Sequence, residues 1–267
     1  MATTFNVDDL VIDHVLSGTM FDKSTGAPKF CLKMIEDPSL ELGGEKVYAD
    51  DPLGQHIASF NRSKTATFSG SNSLFSLGLM ADQVGATKQV GTSTAKIQAP
   101  RREQLQVTSG KVTLKDTPVT GTISIGKMNS NKSLTGEYIK IGTSSSAGEA
   151  SVSGNVITMP TSGISDGDLV SVYYKTEMVD AVKITNAAES YTSAGEFWLE
   201  VLFCDVCNQS IQYYGFVVFP NAVLDNNASI NLTTDGKHPF SLEAMIDYCS
   251  TNQELFYIVV PDSDDAA

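Results

Sequence analysis

Cysteines are the residues of this sequence whose spacing could support metal or redox chemistry. Cys204 and Cys207 form a C-x-x-C pair, a spacing found in zinc half-sites and in dithiol redox centres. A zinc site needs two more ligands, and Cys31, Cys249 and His238 stand singly in the chain. A redox pair needs a helix N-terminus after a strand, whereas this pair falls at a predicted hairpin turn. We therefore expect the cysteines to act as small buried apolar residues, and the role of the C-x-x-C pair stays open.

The histidines and the acidic pairs form no recognisable catalytic motif. The three histidines are His14, His56 and His238, and none of them lies in a nucleophile or metal signature. The pairs Asp8–Asp9 and Asp50–Asp51 are typical of solvated turns, and the sequence has no Gly-rich loop that would cradle a phosphate. We therefore predict a protein that is not an enzyme and that uses no cofactor or metal.

The composition predicts a chain with a sizeable core. Its 267 residues are 41% apolar and only 18% charged, against about 25% charged in typical domains, and this length suits one or two domains. No apolar run approaches the roughly 18 residues of a membrane helix, and the first residues lack the pattern of a secretory signal. We expect a protein that folds in a cytoplasm and does not enter a membrane.

The elements that would position any functional residue are mostly strands. Apolar runs at 196–203 and 211–219 predict an antiparallel hairpin that Pro220 ends. The following pattern predicts a strand at 228–234, a helix at 242–248 behind a Ser241 N-cap, and a final strand at 254–260.

The first part of the chain predicts strands at 29–35 and 64–70, with a loop at 36–54 between them because Pro and Gly recur there. A capped apolar helix at about 73–84 follows, and Gly85 is placed to end it. The stretch 86–115 is poor in large apolar residues and rich in Lys and Arg. A basic stretch can contact nucleic acid, but this one lacks the interleaved aromatic residues and the motifs of such an interface. We therefore interpret it as a solvated basic loop or as a contact with an acidic protein surface.

The middle of the chain predicts short strands separated by turns, at 122–125, 137–141, 155–159 and 168–174. Such spacing is typical of a small β-sandwich or of an extension to one sheet, and the sequence leaves both possibilities open. The predicted fold class is mainly β, a β-sandwich or barrel core with one or two short flanking helices and a β-rich middle insertion. The predicted division is 1–110 and 177–267 for the core, with 111–176 as the middle segment.

Both ends of the chain resemble bacteriophage tail tube (major tail) proteins. The resemblance is carried by the Lys-Thr-Ala-Thr strand at 64–67 with the helix ending at 83–85, by Pro-Asn-Ala-Val-Leu at 220–224, by the alternating Ile230 and Leu232, by the Asp-Gly turn at 235–236 and by Pro-Phe-Ser-Leu-Glu-Ala at 239–244. A terminal hydrophobic strand completes the order.

The resemblance implies a virion structural protein whose subunits form hexameric rings that stack into a hollow conduit for DNA ejection. It further implies assembly in the host cytoplasm, self-association, and contacts with the tape measure protein, the tail terminator and, in a contractile tail, the sheath. DNA would pass through without specific binding. Two alternatives remain: a capsid or decoration protein with an Ig-like module, and a carbohydrate-binding β-sandwich that would use Tyr213, Tyr214 and Trp198 as exposed rings.

The charge is uneven along the chain. From Glu177 to Ala267 there are fourteen Asp and Glu against two Lys, and an acidic surface repels nucleic-acid phosphate. By resemblance to the family, a negative lumen lets DNA slide. The candidate lumen-lining residues are Glu189, Glu196, Glu200, Asp225 and Asp235.

Two further sets of candidates concern assembly. The basic stretch is predicted to reach a neighbouring ring, and its candidate contact residues are Lys88, Lys96, Arg101 and Arg102. The terminal strand is apolar and needs cover, so we predict that it lies at a subunit boundary. Its candidate residues are Leu255, Tyr257, Ile258 and Val260.

Overall fold

The structure, a computed structural model, describes residues 9–206, 211–248 and 250–261. The chain divides into two compact units: unit 1 is Met1–Lys88 with Ile184–Ala267, and unit 2 is Gln89–Lys183. These limits differ from the predicted division at 110 and 176. The second predicted boundary falls inside a strand of unit 2, Leu169–Met178, because the strand pairs continuously across it.

Unit 1 is built on one antiparallel sheet of eight strands. Its strands are β1 (Leu10–Asp22), β2 (Pro28–Leu32), β3 (Ile35–Asp50), β4 (His56–Asn72), β14 (Gly195–Asp205), β15 (Gln212–Leu224), β16 (His238–Ala244) and β17 (Tyr257–Val259). The spatial order is β2-β1-β14-β15-β16-β4-β3, and β17 also pairs with β15. A Cβ atom on Gly18 of β1 would lie 2.9 Å from Ile35 of β3, so the sheet curls into a nearly closed barrel.

The predicted hairpin at 196–219 is confirmed as β14 and β15. Phe197, Leu199 and Val201 alternate into the core, where four phenylalanine rings pack at centroid distances of 5.9–6.5 Å. The expectation that Pro220 ends the second strand is wrong, since β15 runs on to Leu224. Pro220 lies where the register shifts opposite β14, and a bulge tolerates a residue that has no N–H.

The predicted helix at 73–84 is present but shorter. Helix α1 spans Leu77–Gln83, and the hydroxyl of Ser76 accepts a hydrogen bond from the Leu79 N–H, as an N-cap does. Gly85 adopts a positive φ of 63° immediately after the helix, as predicted for its end. Helix α1 is the one helix in the described part of the chain, and it is too short to cross a membrane.

The second predicted helix, at 242–248, is wrong. Residues up to Ala244 belong to β16, which pairs with β15 and β4 on its two sides. Phe240, Leu242 and Ala244 are buried at period two, and this alternation was masked by the helix-like spacing of Leu242 and Ile246. Neighbouring strands on both sides supply backbone partners that a local pattern does not reveal.

Two other strand predictions at this end also need correction. The segment predicted as a strand at 228–234 is a loop, with Leu232 89% exposed. No described strand lies beside it, so its alternating pattern has no ladder to join. The final strand is limited to Tyr257–Val259, because only these residues pair with β15.

The predicted loop at 36–54 is wrong, because most of it belongs to the long strand β3 paired with β4. The residues that suggested a loop lie at irregularities within the hairpin. Pro38 falls at one register shift and Gly44 at another, while a Cβ on Gly43 would lie 2.5 Å from the Thr65 hydroxyl. Pro and Gly at such positions mark bulges and close approaches inside a strand.

Unit 2 has its own sheet and its own core. Its main strands are β6 (Ile97–Gln106), β7 (Lys111–Thr113), β8 (Ser124–Met128), β9 (Leu134–Gly142), β10 (Glu149–Ser153), β11 (Val156–Thr158) and β12 (Leu169–Met178), with β5 (Gln89–Val90) paired to β13 (Val182–Lys183). The order is β6-β12-β8-β9-β10-β11-β7. Ile125, Ile157 and Val170 are fully buried among the core residues.

The basic stretch 86–115 is not a loop in its central part, where β6 forms an edge strand of unit 2. Its side chains alternate strictly between exposed and half-buried. The sequence hid this alternation, because only Ile97 and Leu105 at the two ends of the half-buried face are large apolar residues, while Arg101 and Glu103 occupy positions between them. The predicted mainly β fold class is confirmed.

Candidate assembly surfaces

The far end of the β3–β4 hairpin, residues 45–62, is a two-stranded projection that we call the arm. Val47 and Asp51 are half-buried, and every other residue of the arm is exposed. Its strands pair with each other, so the arm keeps its backbone hydrogen bonds without support from a core. An element that lies outside the core and is exposed on both faces is suited to contact another molecule.

The two faces of the arm differ in chemistry. Val47 lies directly opposite Phe60, and Ala49 opposite Ala58, so these four side chains share one face. Tyr48 and Ser59 form the next pair and therefore project from the other face. The middle of one face is thus apolar and largely exposed, with the charged pair Glu45 and Arg62 at its base, and the other face is more polar.

The tip of the arm is a tight turn that is held by hydrogen bonds. The Asp51 carboxylate accepts hydrogen bonds from the Leu53 and Gln55 N–H groups at 2.9 and 2.8 Å. His56 pairs with Asp50 at 2.5 Å and stacks on Tyr48 with ring centroids 4.2 Å apart.

The tip also presents apolar side chains to water. Leu53 and Ile57 are 86% and 69% exposed. The tip therefore places Leu53 of the turn and Ile57 of β4 in water, and clustered exposed apolar side chains are typical of an interaction site.

The residues predicted for a subunit boundary lie at another uncovered edge. Tyr257 and Ile258 belong to β17 and are exposed, whereas Leu255 and Val260 pack partly against the core. Among the described residues β17 pairs with β15 alone, so its second edge has no strand beside it. Whether this edge meets another subunit stays a prediction.

Glu196 and Glu200, two of the five predicted lumen residues, share one face of β14, on either side of Trp198. The Trp198 indole donates a 2.7 Å hydrogen bond to Glu196, and Glu200 accepts a 2.9 Å hydrogen bond from Ser17. Trp198 is 41% exposed and contacts the ring of Phe21. This outer face therefore combines carboxylates with exposed aromatic surface.

The other three lumen candidates lie in loops of unit 1. Glu189, Asp225 and Asp235 are exposed, and none belongs to a strand. Asp225 follows β15 and accepts a hydrogen bond from the Asn227 N–H at 2.8 Å. The structure thus groups Glu196 and Glu200 on one strand and leaves the others on separate loops.

The four basic candidates have different surroundings. Lys88 is exposed at the end of unit 1, and Lys96 forms a 3.5 Å ion pair with the exposed Glu177. Arg101 and Arg102 are neighbours on β6 and therefore project from opposite faces of the sheet.

Charge is distributed very unequally between the units. Unit 1 contains 23 Asp and Glu against eight Lys and Arg, a balance of −15, whereas unit 2 contains eight against ten, a balance of +2. Together these give the −13 of the whole chain. The difference in charge between the two units is larger than the difference between the last third of the sequence and the rest. The reason is that unit 1 also contains the acidic residues of the N-terminal part.

Perturbed titratable groups in the described residues are explained by structural roles. Burial lowers the pKa of His238, whose ring nitrogens contact the Ser76 N–H at 3.4 Å and the Gln83 side chain at 2.8 Å. Burial raises the pKa of Asp82, which is paired with Lys29 at 2.8 Å. Both contacts attach α1 to the sheet, through β16 and β2 respectively.

Other potential metal ligands do not cluster in the described part of the chain. No cluster of three or more His, Cys, Asp or Glu within the described ranges could hold a metal ion. Cys31 is exposed and Cys204 half-buried, both as free thiols. Cys207 and Cys249 lie outside the described residues, so the C-x-x-C pair stays untested.

Of the three rings proposed for sugar binding, the structure places two on one face of the hairpin. Tyr213 is buried in the core of unit 1, so it is not available as an exposed ring. Tyr214 and Trp198 share the outer face, four residue pairs apart along β14 and β15.

Sequence reasoning missed the arm, which carries several exposed apolar side chains of unit 1. One signal was present: the alternation of Val47 with Ala49 and of Ala58 with Phe60. Pro and Gly on either side of these residues outweighed it.

The chain resembles one known family over nearly its whole length. The family model of the YomU/Tube protein family matches residues 10–258. No curated protein shows significant similarity to the chain.

Proposed function

We propose that this chain, which belongs to the YomU/Tube protein family, is the repeating subunit of a hollow phage tail tube that conducts DNA. Family membership makes it a phage tube structural protein and a virion component that self-assembles. In detail, we propose that the subunits form hexameric rings, that the rings stack, and that DNA passes through the channel without specific binding. The proposal also includes assembly in the host cytoplasm and a structural rather than catalytic role. It further includes contacts with the tape measure protein, the tail terminator and a sheath where one exists.

The observation that carries the proposal is the arm. Its apolar face places Val47 and Phe60 side by side with little cover from the rest of unit 1. Apolar surface gains about 25 cal/mol per Å² when it leaves water, and a two-stranded ribbon is only marginally stable alone. Docking of the arm on another subunit would cover that face and stabilise the ribbon.

Open sheet edges support the same assembly. β3 is the terminal strand of the unit 1 sheet, and β17 is bonded on one side only among described strands. Edge strands present unpaired N–H and C=O groups that pair readily with another chain. Joining of edges between subunits would continue the sheet around a ring.

The acidity of unit 1 supports passage of DNA without adhesion. Its balance of −15 would repel phosphates wherever carboxylates face a channel. Glu196 and Glu200 are the leading candidates, because they share the outer face of one strand. In this proposal Trp198 lies between them at the channel wall.

Electron microscopy of the purified full-length chain tests the proposal. Six-fold rings or tubes of uniform diameter are expected as concentration rises. Shells, or binding to capsids, would favour a decoration protein instead. A subunit that stays monomeric and binds polysaccharide would favour the carbohydrate-binding alternative. Either of these outcomes refutes the tube.

A further inference from the structure

Arg102 is held in a fixed position on the open face of unit 2. Its guanidinium carbon lies 5.7 Å from the centre of the Tyr173 ring, the residue directly opposite on β12. Its Nε atom donates a 3.2 Å hydrogen bond to the hydroxyl of Ser171, which is fully buried. Stacking and the hydrogen bond together restrict a side chain that is normally flexible.

Among the described residues, the two terminal amino groups of Arg102 are free to bind another molecule. Within the part of the chain that the structure describes, neither terminal amino group of Arg102 has a hydrogen-bond or ion-pair partner. A planar guanidinium held at Nε still presents its two terminal groups as parallel donors, and such a fork fits a carboxylate or a phosphate bidentately. Little side-chain entropy would be lost on binding, because the fork is already oriented.

Arg101 provides the contrast. It lies on the other face of β6, where its Nε is 3.3 Å from a carboxylate oxygen of Asp116, and one terminal amino group lies 3.8 Å from the sulfur of Met178. The Arg101–Asp116 contact is an ion pair without hydrogen-bond alignment. Arg101 is thus engaged inside unit 2, whereas Arg102 is available.

The edge of β6 favours contact through side chains rather than through the backbone. Lys175 lies opposite Pro100, and its N–H and C=O are bonded to Thr122 and Val119, away from β6. Residues directly opposite in an antiparallel pair point their backbone groups both inward or both outward, so the nitrogen of Pro100 faces the free edge. That edge lacks a donor at its centre and is poorly suited to pair with another strand.

The charge of the molecule indicates the occupant. Unit 1 has a balance of −15 and unit 2 one of +2, so unit 2 is attracted to unit 1 of another copy far more than to a second unit 2.

We propose that Arg102 binds a carboxylate on unit 1 of a neighbouring copy when subunits assemble. This inference rests on the proposed self-assembly and names one contact within it. Arg101 has a structural role only, inside unit 2.

A cross-linking experiment identifies the contact directly. In the full-length Arg102→Lys variant, a carbodiimide joins the new amine to a nearby carboxylate as an amide, with loss of water. Assembled protein is prepared from equal parts of ¹⁵N-labelled and unlabelled chains and analysed by mass spectrometry. We expect peptides that join position 102 to an Asp or Glu of unit 1 in mixed-label pairs. The matched Arg101→Lys variant should link to Asp116 within one chain.

An assembly assay measures the size of the effect. Arg102→Gln removes the charge but keeps an amide N–H at the position of Nε, which can still donate to the Ser171 hydroxyl, so we expect little change in thermal unfolding of the subunit. The concentration needed for assembly should rise about tenfold, the factor that corresponds to about 1.4 kcal/mol. The difference should shrink at 1 M salt, where the Debye length falls to about 3 Å.

The experiments distinguish failure of this inference from failure of the proposed function. If the unmodified chain assembles and Arg102→Gln assembles at the same concentration, or if the Arg102→Lys variant links position 102 only within its own chain, the inference is overturned while the tube proposal stands. If the unmodified chain forms no assembly at any concentration, the proposed function itself fails.

Discussion

Truncation of Phe60 to Ala tests whether the apolar face of the arm is an assembly surface. Phe60 is 54% exposed in the single subunit, so docking can bury about half of its side chain. Full burial of Phe stabilises by roughly 1.5–3 kcal/mol, and half of that is about 0.8–1.5 kcal/mol per contact. Since 1.4 kcal/mol is about a factor of ten, the concentration at which tubes form should rise roughly three- to twelvefold.

The same substitution should leave the subunit itself almost unchanged. Surface changes outside the core usually alter the free energy of unfolding by about 0.5 kcal/mol or less, and the arm has little contact with the core. Thermal unfolding of the subunit and sedimentation of tubes across a concentration series separate the two effects.

Tyr48→Ala is the matched control, because Tyr48 is similarly exposed and lies on the opposite, polar face of the arm. It should shift assembly much less. Equal shifts for the two variants, or no shift for Phe60→Ala, would refute the assignment of the apolar face.

Four further predictions concern unit 1. The pKa of His238 is lowered from its ordinary value of 6.5 by burial, so the unfolded chain binds the proton more readily. The contribution of this group to stability is therefore complete above pH 6.5 and is lost as the pH falls towards the folded-state pKa. Unfolding temperatures between pH 5 and 7.5 should show a shallower slope in His238→Gln than in the unmodified chain. Trp198 is the single tryptophan, and a channel-facing position predicts that acrylamide still quenches its emission in assembled tubes. A loss of quenching on assembly would place that face between subunits instead. Proline at Ile258, which pairs with Val217, should cost roughly 3 kcal/mol or more if its N–H is bonded, and normal rings from this variant would argue against a boundary role for the strand. Replacing Glu196 and Glu200 with Lys should leave tube length unchanged but slow DNA delivery, because phosphates would be attracted and held. Unaltered delivery would remove these residues from the channel wall.

The sequence by itself determined the elements whose evidence is local. The hairpin of β14 and β15 was predictable because two apolar runs, rich in aromatic and β-branched residues, lie on either side of a short polar break. The β-rich middle followed from regularly spaced short strands. The end of α1 was predictable from Gly85, whose positive φ is favourable without a side chain.

Only the tertiary structure decided which strands lie beside one another. Leu242 satisfied a helix pattern, yet β15 and β4 on either side make its segment a strand. Conversely, Leu232 satisfied a strand pattern, but no described strand is available to pair with it. Backbone hydrogen bonds between distant segments depend on long-range contacts, which leave no mark on local periodicity.

The candidate assembly surfaces also depend on contacts between segments that are distant in the sequence. Net acidity was visible in the composition, but its concentration in unit 1 requires knowing that residues 1–88 fold together with 184–267. The difference between Arg101 and Arg102 is likewise invisible in a pair of adjacent letters. It arises because successive residues of a strand face opposite sides, and only the packed sheet places Asp116 on one side and the ring of Tyr173 on the other.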